Sequence, residues 1–341
     1  MSLGRVKTWI AEILTYADLN AEFDNILNNP GPLITGATLT GGLTFGAVTT
    51  FGSTNPAANL LNMPCDGRLT LTTATPVTTA DVTAAETLYW TPYIGNRIAL
   101  YDGTNWDIFT TSEVSIDVPD ATNCYDVFMY ENSGSPALEL LAWTNETTRA
   151  TALAYQNGVL CKTGALTRRY VGTFYSTTAG NGQIEDSFAK RNLWNYYNRD
   201  ARPMQVLEAT DSWTYTTATI RQARGSTANQ LEFVVGVSED AVTANVAVIV
   251  GSDQAANTVN LAVGIGLDST TAIASSIAPN YGNLIANVPQ PMFSSYVGYP
   301  AVGRHYLAWL EYSTAAGTTT WYGDNGVPTR QQSGIQGVIW G

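Results

Sequence analysis

The spacing of apolar residues divides the chain into segments of different character and predicts a mainly β protein with a short helix near its start. Thr15 and Asp18 stand at capping-box spacing, where the hydroxyl accepts an orphan backbone N–H and the carboxylate sits at the positive helix end. Leu19, Phe23, Ile26 and Leu27 then share one face at helical spacing, and Asn28, Asn29, Pro30 and Gly31 stop the run. Trp9, Ile10, Ile13 and Leu14 extend this sticky segment, residues 1–30. A helix so short is marginal alone, so its stripe calls for burial against its own copies or another protein. Residues 31–59 carry single apolar residues, Leu33, Leu39, Leu43, Phe45, Val48 and Phe51, between Gly and Thr. They cannot build a core within one chain. Three copies wound about one axis would let them meet as a shaft, and a flexible linker is the plainer alternative.

From residue 60 the pattern changes to alternations and short apolar runs bounded by turn residues, which predicts strands. RIALYDGTNWDIF places Ile98 and Leu100 before Asp102-Gly103 and Trp106 and Ile108 after it, a hairpin whose turn uses glycine's tolerance of positive φ. Strands are also expected over 124–130, 137–143, 152–160 around Asn157-Gly158, and 167–175, giving a β-sandwich domain over 60–180. In DSFAKRNLWNYYNRDAR (186–202), Phe188, Leu193, Trp194 and Tyr197 recur near helical spacing, with Asp186 or Ser187 as cap and Pro203 as stop. A helical connector over 181–205 is therefore predicted. QLEFVVGV, ANVAVIVGS, NTVNLAVGIGL, RHYLAWLEYS, TTTWYG and GIQGVIWG predict a second, jelly-roll-like β-domain over 206–341, its last strand running to Trp340-Gly341.

Charged residues are only 13% of the chain, and Thr, Ser, Asn and Gly keep the surface wet, as suits extracellular β-proteins and particle components. The formal charge of -12, with no basic run, argues against a phosphate-neutralising surface, so nucleic acid is not an expected partner. No apolar run is long enough for a membrane helix, and residues 1–11 lack the apolar core of a secretory signal. No membrane insertion is expected, and synthesis in the cytoplasm with release on lysis is. Cys65, Cys124 and Cys161 are odd in number and lack C-x-x-C spacing, which predicts buried free thiols.

Enzymatic constellations are thin, and a non-enzyme without metal or cofactor is expected. The lone histidine, His305, lies in a predicted strand with no G-x-S-x-G elbow to accompany it, and reads as a packing or interface residue. Asp102, Asp107, Asp117, Asp120, Glu239 and Asp240 are the carboxylates to inspect for glycan cleavage. Asp102 and Asp107 flank a hairpin turn and Glu239-Asp240 a loop, where solvated residues are the rule. Asp253, Asp268 and Asp324 follow no EF-hand pattern and read as turn residues. Aromatic side chains, 18 Tyr and 9 Trp among them, can stack on sugar rings. Tyr281, Tyr296, Tyr299, Trp321 and Tyr322, in NYGN, SSYVGYP and WYGDNG, combine rings with turn residues and are the receptor-binding candidates.

TYADLNAEFDNIL, then YDGTNW, RRYVGTFYSTT and KRNLWNYYNR, resemble in style and order the tail-fibre and head-fibre proteins of bacteriophages. The resemblance implies a homotrimeric virion fibre. Its N-terminal segment would dock on a phage tail, portal/adaptor or capsid protein, and its C-terminal part would contact a host-surface glycan or protein. Trimerisation would add the burial that residues 1–59 lack and multiply weak surface contacts. Two alternatives stay open: a capsid-bound head fibre or decoration protein with a mainly structural role, and a polysaccharide depolymerase.

Overall fold

The computed structural model describes residues 63–177, 182–254, 259–278, 280–281 and 285–341. The residues expected to anchor the chain, Trp9, Ile10, Ile13, Leu14, Leu19, Phe23, Ile26 and Leu27, and the 31–59 stretch lie outside the described residues. Within the described residues the architecture is β throughout, and the one helical element is a 3-10 turn at Ala223–Gly225.

Local sequence sets the hairpins. Arg97–Tyr101 pairs with Trp106–Thr110, as the sequence predicts. Asp102 closes their turn, its Oδ1 accepting from the N–H groups of Thr104 at 2.6 Å and Asn105 at 2.7 Å, with Gly103 at φ +108°. Leu153–Gln156 and Val159–Lys162 are joined by Asn157-Gly158, both at positive φ, the two-residue turn whose twist matches that of the strands.

These hairpins assemble around two cores. A three-stranded sheet (Gly67–Thr70, Thr87–Pro92, Val114–Asp117) and the Arg97–Tyr101 hairpin supply Leu69, Leu88, Trp90, Ile98 and Leu100 to the first. The other side of that core is a six-stranded sheet ordered Ser135–Ala142, Cys124–Asn132, Ala165–Tyr175, Val159–Lys162, Leu153–Gln156, with Leu193–Asn195 also beside Ala165–Tyr175. It contributes Tyr125, Val127, Met129, Val171 and Phe174. The opposite face of the same sheet, through Cys124, Phe128, Tyr170 and Tyr175, belongs to the second, larger core. That core fills a β-sandwich. One layer is an eight-stranded sheet containing Gln230–Val235, Gly303–Ser313 and Leu261–Leu267, and the other a six-stranded sheet built on Val242–Ser252. Residues 124–129 and 169–175 are consequently buried on both faces, which explains their near-continuous apolar sequence.

Two expectations are corrected here. The 186–202 stretch is not a helix, because it supplies the strands Ile184–Asp186, Lys190–Arg191 and Leu193–Asn195 and runs into Ala201–Leu207. Leu193 enters the first core and its neighbour Trp194 the second, so the near-helical spacing reflects residues sent to two cores rather than to one helix face. Nor do residues 60–180 and 206–341 have separate interiors joined by a helical connector. Leu61–Gly341 forms one compact unit, and its larger core draws on both stretches.

Buried polar groups lock the shared wall. Asp126, 1% exposed, accepts from Arg149 Nε at 2.8 Å and from the Thr173 hydroxyl of the adjacent strand at 2.8 Å. Burial pushes its carboxyl above the ordinary carboxylate range, and Arg149 and Thr173 pull it back only in part. The Arg149 guanidinium also donates to the Gly236 carbonyl and lies over the Trp143 ring at 4.6 Å, so one side chain ties residues from both expected domains. Arg169, equally buried, donates to the carbonyls of Pro64 and Ala99 at 2.8 Å each and fixes the chain where the first core begins. Burial raises the Cys65 and Cys161 thiols to about 11 and Cys124 to about 12, so all three are protonated, inert thiols at neutral pH. Arg149→Met leaves the Asp126 carboxylate buried without its cation and is expected to lower the unfolding free energy by about 3–5 kcal/mol. Urea denaturation followed by tryptophan fluorescence checks this, and a loss below about 1 kcal/mol, the scale of an exposed pair, contradicts the lock.

Candidate binding groove on the outer sheet face

The sheet built on Val242–Ser252 turns one face to the larger core and the other outward. Gln290–Gly298 pairs along one edge of that strand, and Gly334–Trp340 followed by Thr319–Tyr322 along the other. Ala201–Leu207 extends the sheet beyond Gly334–Trp340, and Ser212–Thr214 beyond Thr319–Tyr322. Strict alternation sends Val246, Val248, Val250, Met292, Tyr296, Trp321, Ile335 and Ile339 inward.

The outward residues stand in cross-strand rows. Leu207, Gly334, Ala247 and Phe293 form one row; Gln205, Gln336, Asn245 and Ser295 the next; Pro203, Val338, Thr243 and Val297 the third. Beyond these lie Ala201 and Trp340 at one end, and Ile249, Pro291, Tyr322, Thr320, Ser212 and Thr214 at the other. None of these side chains is charged, on a chain whose formal charge is -12. Several are large, apolar and solvent-facing, Phe293 at 60% and Val297 at 57% exposure among them.

A groove of about 700 Å³ runs over this face. Its depth follows from residue size, because Gly334 and Ala247 lie between the larger Leu207 and Phe293 in the first row. Gly334 cannot be larger, since a Cβ there would collide with the Val206 carbonyl. Ile277 rims the groove, its backbone N–H and C=O bonded to Ser295 at 3.1 and 2.9 Å. The carboxamides of Gln205, Asn245 and Gln336 and the Ser295 hydroxyl carry no side-chain hydrogen bond among the described residues, leaving their donors and acceptors facing the groove region.

The five aromatic candidates are not gathered into one place. Tyr296 and Trp321 are corrected: both point into the larger core, Trp321 fully buried, where no receptor reaches them. Tyr299 is exposed in the turn after Gln290–Gly298, while Tyr322 is half-buried on the outer face near the opposite end of that strand. Tyr281 lies on the short strand Asn280–Tyr281 of the other sheet, paired with Leu261. Sequence reading missed Phe293 and Val297 because SSYVGYP reads as a turn-rich loop and hides the strand that runs into it. Its alternation, Met292, Ser294 and Tyr296 against Phe293, Ser295 and Val297, is the signal that marks a strand with two apolar faces.

His305, Asp268, Glu239, Asp240, Asp253 and Asp324, inspected for chemistry, have structural partners. His305 places Nδ1 2.7 Å from Asp268 Oδ2 and Nε2 2.8 Å from the Ala301 carbonyl, so both ring nitrogens are used within the fold. Glu239 and Asp240 both pair with Arg199. Asp253 and Asp324 accept backbone N–H groups of Thr318 and Gly326, the turn roles their sequence context suggests. Glu311, pushed up by burial, accepts from Trp213 Nε1 and Arg221 Nε at 2.7 Å each.

No family model matches the chain, and no curated protein matches it. Among solved structures it is similar to the tryptic core of a Bacillus thuringiensis Cry1Da variant, at 8% identity and a TM-score of 0.21, over 75% of this chain and 48% of that one. The chain thus spans about half the length of that tryptic core. It is also similar to the infectious bursal disease virus Gx strain structure, at 10% identity and a TM-score of 0.25, over 76% and 74%. A carbohydrate-binding module of the β-sandwich superfamily gives 12% identity and 0.20 over 78% and 99%. Overlaps this low assign neither family nor function.

Burial pushes the Asp268 carboxyl up, but hydrogen bonds from the His305 ring and the Tyr306 N–H outweigh it and hold the group below its ordinary value of 3.8. A carboxylate depressed on folding stabilises the fold above its unfolded pKa and loses that contribution as pH falls through the lower, folded one. Asp268→Asn is therefore expected to reduce stability at neutral pH and to flatten the acid limb below about pH 4. Thermal melts from pH 2 to 7 check both, and parallel wild-type and variant profiles contradict the assignment.

Proposed function

We propose that the chain is a structural, non-enzymatic fibre subunit of a bacteriophage particle, a homotrimer held by its N-terminal segment and attached to the host surface through its C-terminal sandwich. The observation that supports attachment is the groove-bearing outer face, uncharged in all its rows on a strongly acidic chain. Soluble monomers seldom present contiguous apolar surface without a partner for it. The order of the chain supports the same reading, with an apolar stripe at helical spacing and a Gly/Thr stretch ahead of a compact β unit in the sequence. Three copies on one axis would present three grooves, so a weak single contact gains avidity without new chemistry.

Purified full-length chain is expected to sediment as a trimer and, at saturation, to reduce particle adsorption to host cells, while antibodies against it label one class of site on the particle. A monomer absent from purified particles and without effect on adsorption contradicts the proposal.

A further inference from the structure

The geometry points to a neutral, hydroxyl-rich glycan chain as the ligand of the outer-face groove, lying across the strands along the row Gln205, Gln336, Asn245, Ser295. This deepens the host-attachment reading and rests on it. Three features select that chemistry. The first is the row itself. Strands about 4.8 Å apart place its four groups on a line about 14 Å long. Each carboxamide or hydroxyl both donates and accepts, which suits a ligand whose hydroxyls do the same.

The second feature is what borders the row. Phe293 and Leu207 stand on one side, Val297 and Val338 on the other, so a hydrogen-bonding line runs between apolar strips. Sugar rings have that amphipathic form, with C–H faces that pack on an aromatic ring and a hydroxyl edge that bonds to amides. The third is charge. An acidic glycan would meet no cation on this face and the repulsive field of a chain at -12, while a cationic ligand would find no carboxylate. A groove of about 700 Å³ lies in the range of sites that enclose small ligands, with room for several ring units.

The test titrates the full-length chain by calorimetry with cellohexaose, maltohexaose and mannohexaose as neutral probes and hexagalacturonate as the acidic one. Phe293→Ala removes the stacking platform, and Ala247→Leu fills the groove floor from an exposed position. At least one neutral probe is expected to bind, the acidic probe not, and each variant to weaken binding about tenfold or more with sedimentation unchanged. Binding by none of the neutral probes, equal binding of the acidic probe, or retained affinity in both variants overturns the inference. A change of sedimentation mass in Ala247→Leu also overturns it, marking the face as a contact between copies. Blocked adsorption with no neutral-probe binding sinks the glycan inference and leaves the fibre proposal standing. Neutral-probe binding by a chain absent from particles does the reverse.

Discussion

Two adjacent strands buried on both faces organise the described unit. Residues 124–129 and 169–175 send alternate side chains into two cores, and neither core closes without them. Such a wall has no solvated side on which to place a polar residue cheaply. The polar groups it does hold, Asp126, Thr173 and Arg169, are paired or bonded to carbonyls, because an unpaired charge there would cost several kcal/mol. Arg149 reaches this wall from the loop after Ser135–Ala142 and also bonds the Gly236 carbonyl, so a single guanidinium ties the wall to a distant stretch of the chain on the side of the second core.

The groove lies on the far layer of the larger sandwich, and its row spacing is set by strand pairing, with side chains on regular β-backbone rather than on loops. Its shape is fixed by residue size along one row and its neutrality by the composition of the whole face. A chain with few charged residues still concentrates none of them here, which links the bulk composition to a specific place on the surface.

Much of the fold was legible in the sequence. The turns at Asp102-Gly103 and Asn157-Gly158 announced their hairpins through glycine and Asn/Asp, and the alternating or apolar runs around Val246, Val263 and Leu307 announced strands. What was hidden was long-range. Leu193 and Trp194 look like part of a helix stripe until two cores are known to lie on either side of them, and no local pattern says that a second core exists. The site was less legible still. Tyr296 and Trp321 sit among turn residues in the sequence yet point inward, because the strand period, not the neighbouring glycine, decides direction. Gln205, Asn245 and Gln336 come from three distant segments, and only the register makes them neighbours.

The two-sided wall implies that the described unit opens as a whole. Native-state hydrogen exchange on the full-length chain tests this directly. The amides of 124–129 and 169–175 are expected to exchange only through global unfolding, with the same opening free energy as those of Val242–Ser252 and the same denaturant dependence. Exchange of residues 63–175 through a separate, lower-energy opening that leaves Val242–Ser252 protected would contradict the shared core.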